Sequence, residues 1–281
     1  MKGTLYLCAT PIGNLKDITL RCLETLESVD LIAAEDTRQT LKLLNHFDIH
    51  KPMTSYFEHN KKEKGEYLIS LLNEGQNIAL VSDAGTPAIS DPGEDLARMC
   101  IDAGIDVVPV PGAVAGISAL IVSGMATGRF TFEGFLSVNK RHRLTHLSSL
   151  KEETRTMIFY EAPHKLPYTL KDMEAAFGAD RKITLCRELT KIHEEKRYST
   201  LGEANRYYHE NPPRGEFVLI IEGATPKEEP EDLRSLEEIY ADLLDSGMDE
   251  KEALKEAAKQ KGISKRDAYA VLKVKKDADK K

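Results

Sequence analysis

The sequence lacks several patterns that would assign it to a common class of protein. No apolar run is long enough to cross a bilayer, and the short run at 5–9 is too small for the core of a signal peptide, so we expect neither a membrane span nor secretion. The 4 cysteines form no CxxC pair, and three of them lie in or beside apolar segments, where buried thiols are usually inert. The 8 histidines show no HxxxH spacing. We therefore predict a reduced, cytoplasmic protein without a bound metal.

Length and charge narrow the remaining classes. A chain of 281 residues exceeds one typical domain, which favours two modest domains with an appendage. The hydrophobic share of 41% supports packed cores. A net charge of −7 argues against a protein that coats nucleic acid indiscriminately, but it leaves room for local basic patches.

Short β-rich runs alternate with helical stretches in the first part of the chain. Apolar runs bounded by Gly, Pro, Asn and Asp predict strands at 5–9, 31–34, 78–82 and 107–110. Apolar residues at helical spacing predict helices at 18–26, 40–47, 64–73 and 93–103, and Gly75 and Gly104 stand where helix ends favour glycine. This alternation predicts an α/β domain with a mainly parallel sheet and crossover helices.

A second block of the same kind follows. Strands are predicted at 130–136, 156–160, 183–187, 197–201 and 216–221, with helices at 165–177 and 201–210. We place one α/β domain at 1–111 and a second at 112–223. The segment 224–231 (ATPKEEPE) contains prolines and charges but no core-forming residue, so we interpret it as a linker.

Three helical segments make up a predicted appendage at 232–281. They cover 233–244, a segment that begins at Asp249 and stops near Gly262, and a segment from Ser264 to about Lys275. From 251 to 281 there are 11 Lys/Arg against 5 Asp/Glu, a local excess of +6. A solubilising tail or dimer brace and an RNA-contacting helical unit are equally consistent with this composition.

Three loops that follow predicted strands combine glycine, proline and small residues. Loop 9–19 (ATPIGNLKDIT) is not GxGxxG, and an ordinary strand-to-helix turn explains it as well as a ligand site does. Loop 81–93 (VSDAGTPAISDPG) is more punctuated than a crossover needs, which favours a rigid ligand-binding loop. In it, Asp83 and Asp91 are either caps or ligand contacts. Loop 108–120 (VPVPGAVAGISAL) has no GxxxxGK[ST]; its small residues suit either a helix N-terminus that faces a ligand or close packing on the sheet.

Together these loops resemble those of the tetrapyrrole methylase superfamily. Further motifs extend the resemblance: AAEDTRQT at 33–40, YEAPHK at 160–165, CRELTKIHEE at 186–195 and GEFVLIIEG at 215–223. In this combination the chain is similar to the ribosomal RNA small subunit methyltransferase I family over residues 4–223. The resemblance implies two α/β domains with a cofactor cleft between them, a small C-terminal helical appendage and a homodimer. It also implies S-adenosylmethionine as methyl donor, and 2′-O-methylation of a cytidine in small-subunit ribosomal RNA or the assembled small subunit.

The resemblance also implies the residues of the site. Donor contacts are expected from Pro11, Ile12, Asp83, Gly85, Thr86, Pro87, Ile89, Ala113, Val114, Ala115, Tyr160, Glu161, Gly215 and Glu216. The catalytic candidates Asp36, Arg38 and Glu188 follow from the residues themselves: Asp36 and Arg38 stand at the end of the second predicted strand, where the cleft should open, and we expect Arg38 to hold phosphate and Asp36 to orient the ribose. A base that removes the hydroxyl proton would speed the reaction by about 10²–10⁴-fold. Candidates for it are Asp36, Asp83, Glu161, Glu188, His164 and Lys191, the last only if its pKa is lowered.

Simpler explanations accompany these assignments. Asp36 and Arg38 equally suit a surface salt bridge. The basic runs at 61–64 and 140–143 suit RNA phosphates or solvated helix starts, and we favour RNA for the second run. Thr86 replaces the acidic residue that methylases of tetrapyrroles carry in this loop, which argues against such a substrate. The alternatives are a small-molecule methylase of the same fold and a non-catalytic ribosome-binding factor.

Overall fold

We analysed a computed structural model of the chain. The structure describes residues 1–225 and 234–278, with side chains up to residue 272. The described residues form two compact units, the first being Met1–Thr225 and the second the described residues from 234 onward. Most of the predicted linker at 224–231 lies outside the described residues.

The first part of unit one contains a parallel five-stranded sheet. Its strands are β1 (Thr4–Cys8), β2 (Leu31–Ala34), β3 (Met53–Ser55), β4 (Ile78–Val81) and β5 (Asp106–Val110), in the order β3-β2-β4-β1-β5. Every neighbouring pair is parallel, so all five strands end at the same edge of the sheet. The four predicted strands are present. The short edge strand β3 was not predicted, because three partly buried residues carry too little periodicity.

Helices cover both faces of this sheet, and we call the whole the N-terminal lobe. They are α1 (Leu20–Ser28), α2 (Thr37–His46), α3 (Lys61–Asn73) and α4 (Gly93–Asp102). Alternate residues of the central strands join two cores: Leu31 and Leu80 pack with α3 and α4, whereas Ile32 and Val81 pack with α1 and α2. A fully covered parallel sheet leaves its carboxyl-terminal edge as the place for a site.

The second part of unit one has a mixed sheet. Its strands are β6 (Phe130–Phe135), β7 (Thr156–Glu161), β8 (Lys182–Arg187), β9 (Glu195–Thr200) and β10 (Phe217–Ile221), in the order β6-β7-β10-β8-β9. Only β6 and β7 are parallel, so the prediction of a second mainly parallel block was wrong. The loop that joins β8 to β9 is too short for a parallel crossover, which needs a dozen or more residues.

Four helices cover this sheet and complete the C-terminal lobe. They are α5 (Ala115–Val122), α6 (Lys140–Ser149), α7 (Leu166–Phe177) and α8 (Leu201–Glu210). Helices α6, α7 and α8 pack on one face around Phe159 and Leu219, and α5 packs on the other face against Ile158 and Ile220. The predicted domain boundary at 111–112 falls in the connection from β5 to α5 and stays a prediction.

The second unit consists of three helices in its described part: α9 (Leu236–Asp245), α10 (Glu250–Gln260) and α11 (Lys265–Ala278). Ser235 and Glu238 form a capping box at the start of α9, and Asp249 caps α10 through the amide N–H groups of Lys251 and Glu252. A small core that includes Ile239 and Ala257 holds the helices together. The three predicted helices are therefore present. Across residues 1–225 and 234–278, no helix is long and apolar enough to cross a membrane.

Candidate functional site

A cleft of about 550 Å³ lies where the loops after β1, β4 and β5 meet the second sheet. Most of the predicted donor contacts line it: Ile12, Asp83, Gly85, Thr86, Ile89, Val114, Ala115, Tyr160, Glu161 and Glu216. The predicted catalytic residue Glu188 lines it as well. Residues that are far apart in the sequence thus share one cavity, as loops at the carboxyl ends of strands are expected to do.

Hydrogen bonds join the three N-terminal loops into one wall. The amide of Thr10 donates to the carbonyl of Gly85 over 2.8 Å, and the amide of Gly85 donates back over 3.1 Å. The hydroxyl of Thr86 donates to the carbonyl of Ala113 over 3.0 Å. At Gly85, φ is +85°, and a Cβ would lie 3.1 Å from Cγ2 of Ile12. Glycine is therefore needed there for its backbone conformation and for the close approach of the loops.

Backbone strain is concentrated in two loops that border the cleft. In the described residues, non-glycine positive φ angles occur at Ala88, Ser90, Glu188 and Thr190, and elsewhere only at Asp48. Asp91 stabilises the first of these loops, because its Oδ1 accepts the amide N–H groups of Ala88 and Gly93. Asp91 therefore ties this loop to the start of α4, although the N-cap position of the helix itself is Pro92. Positive φ angles cost conformational energy in residues other than glycine, and strained backbone of this kind is found most often at ligand sites.

An ion-pair network joins the loop after β8 to the start of β10. Oε1 of Glu188 accepts from Nζ of Lys191 over 2.9 Å and from the amide of Glu216 over 3.0 Å. Nζ of Lys191 also lies 3.1 Å from Oε2 of Glu216. A Cβ on Gly215, where φ is +78°, would lie 2.6 Å from Cγ of Glu188, so this glycine makes room for the network.

The network shifts both of its titrating groups toward the charged form. Burial by itself would raise the pKa of Glu188, but the amide of Glu216 and the ammonium of Lys191 outweigh it and lower this pKa. Burial would likewise lower the pKa of Lys191, but the two carboxylates outweigh it and raise this pKa. Lys191 was a candidate base only if its pKa were lowered, and its pKa is instead raised.

Tyr160 and Glu161 form the wall on the side of β7. The hydroxyl of Tyr160 accepts the amide N–H of Gly116 over 3.0 Å and so holds the first turn of α5, and burial raises the pKa of Tyr160. Glu161 is only 3% exposed; its Oε2 accepts the hydroxyl of Thr169, and its Oε1 accepts the amide of Ala162. Both side chains are thus held by the protein itself.

The predicted pair Asp36 and Arg38 lies beside the cleft, outside its lining. Asp36 is the N-cap of α2, and both of its oxygens accept from Arg38, whose side chain is 87% exposed. These hydrogen bonds with Arg38 lower the pKa of Asp36 to about 2, which makes it a weak base. The salt-bridge explanation describes this geometry, and a carboxylate held on both oxygens is poorly placed to orient a ribose.

Two other carboxylates at this edge have raised pKa values. Burial is the main cause for both Glu35 and Asp83, with repulsion between the neighbouring carboxylates adding to it. The amide of Asp36 donates to Oδ1 of Asp83 over 3.0 Å, and the amide of Asp83 donates to Oε2 of Glu35 over 3.3 Å. The ends of β2 and β4 are joined through these contacts.

Other predicted donor contacts lie behind the wall. Pro11 borders an adjoining cavity, Pro87 is buried, Ala113 supplies the carbonyl that Thr86 bonds, and Gly215 makes room for Glu188. Sequence reasoning did not assign the following lining residues to the donor pocket: Glu35, Ser82, Ala84, Ser90, Asp91, Phe135, Ala162, Pro163, His164, Cys186, Leu189, Lys191, Phe217 and Val218. Half of them directly adjoin a predicted site residue in the chain, which is the signal that could have found them.

The chemistry of the cleft is acidic and apolar. Six carboxyl side chains line it: Glu35, Asp83, Asp91, Glu161, Glu188 and Glu216. Against them stands one lysine, Lys191, together with apolar and aromatic groups such as Phe135, Tyr160 and Leu189. Such a cavity suits a cationic ligand that has an apolar or aromatic part, and it repels phosphate. The described residues contain no cluster of His, Cys, Asp or Glu that could hold a metal ion.

A basic surface adjoins the cleft on the C-terminal lobe. Glu161 and the following residues to His164 line the cleft, and Lys165 and Tyr168 line a shallow pocket next to it. Arg143 is held by Asp172 over 2.8 Å and by the carbonyl of Ser137. In contrast, four cations on α6, on α7 or at the N-cap of α7 have no carboxylate partner in the described structure: Lys140, Arg141, Lys165 and Lys171. We call these four residues and Tyr168 the α6–α7 surface.

The chain matches a known protein family and several relatives of known name. A family model described as tetrapyrrole (corrin/porphyrin) methylases matches residues 4–205. A Synechocystis sp. protein named ribosomal RNA small subunit methyltransferase I is 51% identical, over 95% of this chain and 96% of its own. A protein of the same name from Halalkalibacterium halodurans is 51% identical, over 96% of this chain and 94% of its own.

A solved structure has the same fold. Uroporphyrin-III C-methyltransferase from Thermus thermophilus, complexed with S-adenyl homocysteine, superposes with a TM-score of 0.57 at 16% identity. The match covers 78% of this chain and 97% of that chain, and at this identity it shows the fold alone. The family follows from the sequence matches: the chain belongs to the tetrapyrrole methylase family, and within it to the ribosomal RNA small subunit methyltransferase I family.

Proposed function

We propose that the chain transfers a methyl group from S-adenosylmethionine to the 2′-hydroxyl of a cytidine in small-subunit (16S) ribosomal RNA. The observation that carries the proposal is the acidic, partly aromatic cleft of about 550 Å³ in a chain of this family. The name of the relatives that are 51% identical supports ribosomal RNA as the substrate. A reduced cytoplasm, where ribosomes are methylated, suits the four free, buried cysteines.

The residues of the cleft fit this donor. S-adenosylmethionine supplies a methyl group already activated on a positively charged sulfur. The lining carboxylates are complementary to that charge, and the apolar groups around Tyr160 suit a purine. Gly85 lies so close to Ile12 that its loop presents backbone atoms, rather than a side chain, at this point of the cleft. We infer that Ile12, Thr86 and Ile89 contact the methionine part.

The C-terminal lobe supplies the opposite wall. Tyr160, Glu161 and Glu216 flank the adenosine in this proposal, and each is held in place by hydrogen bonds within the protein or by the Lys191 network. Glu188 acts through that network, because it holds Lys191 and the amide of Glu216 in position. Alignment of the reacting atoms and exclusion of water are then the main tasks of the chain.

The RNA backbone belongs outside the acidic cleft. The α6–α7 surface adjoins the cleft at Lys165 and Tyr168, and its four cations are proposed to neutralise phosphates that flank the target nucleotide. Tyr168 is 68% exposed and is available for stacking on a base. Arg38, held by Asp36 and largely exposed, is proposed to contact a phosphate on the other lobe. Small-subunit RNA, free or in the assembled subunit, is the proposed partner.

We further propose that the chain forms a homodimer through α5 and β6. Ile117, Phe130 and Phe132 are each about two-fifths exposed and line one apolar cavity of about 380 Å³, and Ile121 on α5 is 70% exposed. Contiguous apolar surface of this kind marks an interface. Sedimentation equilibrium is expected to give a dimer for the wild type and a monomer for Phe132→Glu; a wild-type monomer would refute the assignment.

The activity is tested with labelled donor. The protein is incubated with small ribosomal subunits, with naked small-subunit RNA or with uroporphyrinogen, and the product is digested and analysed by mass spectrometry. The expected result is a 2′-O-methylcytidine in the RNA of one or both ribosomal substrates. Labelled uroporphyrinogen would instead indicate the small-molecule methylase. Binding of S-adenosylhomocysteine by calorimetry without methylation of any substrate would indicate a non-catalytic factor.

A further inference from the structure

A second cavity adjoins the donor cleft on the side of α2. It has a volume of about 220 Å³ and is lined by the loop after β1, by α2 and by Ser82 and Asp83. Ser82 and Asp83 also line the donor cleft, so the two cavities meet at these residues. Asp83 is the one titratable group that borders both.

The side chain of Asp83 is fixed by a hydrogen bond to one of its two carboxylate oxygens. Its Oδ1 accepts the amide N–H of Asp36 over 3.0 Å, which fixes the carboxylate at the junction. Within the described residues no hydrogen bond or ion pair reaches its other oxygen, Oδ2. The residue is exposed toward solvent, so a ligand in either cavity can reach it.

The other carboxylates at this edge are less suited to accept a proton from a substrate. Both oxygens of Asp36 accept hydrogen bonds from Arg38. Both oxygens of Glu161 accept hydrogen bonds within the protein, and Glu188 is paired with Lys191. Glu35 lines only the donor cleft, and its Oε2 accepts the amide of Asp83.

The smaller cavity has features that suit a nucleotide. Leu15, Leu43 and Pro11 supply apolar surface, and Gln39 supplies an amide. Nζ of Lys42 donates to Oε1 of Gln39 over 3.0 Å, and no carboxylate pairs with this ammonium in the part of the chain that the structure describes. Lys42 is therefore available for a phosphate.

We propose that this cavity holds the acceptor nucleotide and that Oδ2 of Asp83 removes the proton from its 2′-hydroxyl. The inference rests on the proposed function and names the acceptor side of the same site. The O2′–CH₃ bond forms as the S–CH₃ bond breaks, the sulfonium leaves as a neutral thioether, and the hydroxyl proton passes to Asp83. Lys42 binds a phosphate of the same nucleotide. The carboxylate is partly shielded from solvent although the residue is exposed, and this partial desolvation raises the pKa of Asp83, which strengthens it as a base.

The test compares Asp83→Asn with wild type and with Asp106→Asn. Asparagine keeps the Oδ1 acceptor for the amide of Asp36 and removes the basicity. Asp106 begins β5, at the opposite edge of the sheet from the cleft, so it matches the chemical change without touching the site. Single-turnover methylation of RNA is expected to fall about 10²–10⁴-fold in Asp83→Asn. The affinity for S-adenosylhomocysteine, measured by calorimetry, is expected to stay within about twofold.

Two further readouts separate a base from a structural role. The wild-type rate should fall as the pH drops through the raised pKa of Asp83, whereas the residual rate of Asp83→Asn should lack this limb. Because a raised pKa makes ionisation unfavourable in the folded state, Asp83→Asn should have a higher Tm than wild type at pH 8, a difference that vanishes in acid. Lys42→Met should raise KM for RNA and leave kcat nearly unchanged.

The outcomes are distinct. Asp83→Asn with a near-normal rate and an unchanged pH profile would overturn the inference while the proposed function stands. Loss of S-adenosylhomocysteine binding in this variant would also overturn it, because Asp83 would then serve the donor. If the wild type methylates no RNA, the proposed function fails and this inference with it.

Discussion

Gly13, in the loop after β1, lies close against the loop after β8, and its substitution tests this contact between the two lobes. A Cβ on this residue would lie 2.3 Å from Cγ of Lys191, 3.0 Å from Oγ1 of Thr190 and 3.2 Å from the carbonyl oxygen of Leu189. Carbon atoms pack best at about 3.5–4.0 Å, so the alanine methyl group would overlap Lys191 by more than 1 Å. The backbone at Gly13 does not have a positive φ, so alanine meets a steric obstacle only.

The neighbours of Gly13 have little freedom to move. Lys191 is tied to Glu188 and Glu216 at 2.9 and 3.1 Å, and the Leu189 oxygen belongs to the backbone. Gly13→Ala should therefore lower the free energy of unfolding by about 1–3 kcal/mol, the usual cost of overpacking. It should also weaken S-adenosylhomocysteine binding, because the loops that border the cleft must shift apart.

Urea denaturation and calorimetry measure the two effects. Gly128→Ala is the matched control, because a Cβ there meets no atom within 4 Å, and we expect it to stay within about 0.5 kcal/mol of wild type. Lys191→Ala removes the Cγ that collides, so the double variant should be less destabilised than the sum of the single variants by about 0.5–3 kcal/mol. Wild-type stability and donor affinity in Gly13→Ala would refute the contact between the lobes.

Three further predictions follow from the site and its surroundings. The double variant Lys140→Ala, Arg141→Ala should bind RNA with a shallower slope of log K against log salt concentration, by about 0.7 for each lost contact with a single-stranded phosphate. Lys61→Ala is the control and should leave the slope unchanged, because the ammonium of Lys61 is already paired with Glu58 and Asp95. Because the pKa of Glu188 is lowered in the folded state, its carboxylate stabilises the fold at pH values above the ordinary carboxyl range, and this stability is lost as the pH falls through the lowered pKa. Glu188→Gln should therefore have a lower Tm than wild type at pH 7 and the same Tm in acid. An equal difference in Tm at all pH values would contradict this. Tyr160→Phe leaves the amide N–H of Gly116, in the first turn of α5, without its acceptor and should lower the free energy of unfolding in urea by about 1–3 kcal/mol. An unchanged midpoint would show that the bond contributes nothing.

Much of the fold follows from local sequence patterns, which involve residues close together in the chain. Apolar runs and helical periodicity locate the strands of the N-terminal lobe, and glycine marks the ends of helices at Gly75 and Gly104, where φ is +99° and +63°. The punctuated loop at 81–93 indicates a rigid wall, because glycine and proline restrict the backbone through local geometry. Motif order then identifies the family, and most of the donor contacts that it implies line the cleft.

The tertiary structure decides what depends on distances between remote residues. Strand direction in the second sheet depends on how β10 inserts between β7 and β8, which no local pattern encodes. Asp36 and Asp83 look alike as candidate bases in the sequence, but only the fold pairs one with Arg38 and leaves the other at the junction of two cavities. Lys191 likewise acquires a raised rather than a lowered pKa from two carboxylates that the chain brings to it from positions 188 and 216. Burial and ion pairing are properties of the packed molecule, so the basicity of a side chain is set by its neighbours in space rather than in sequence.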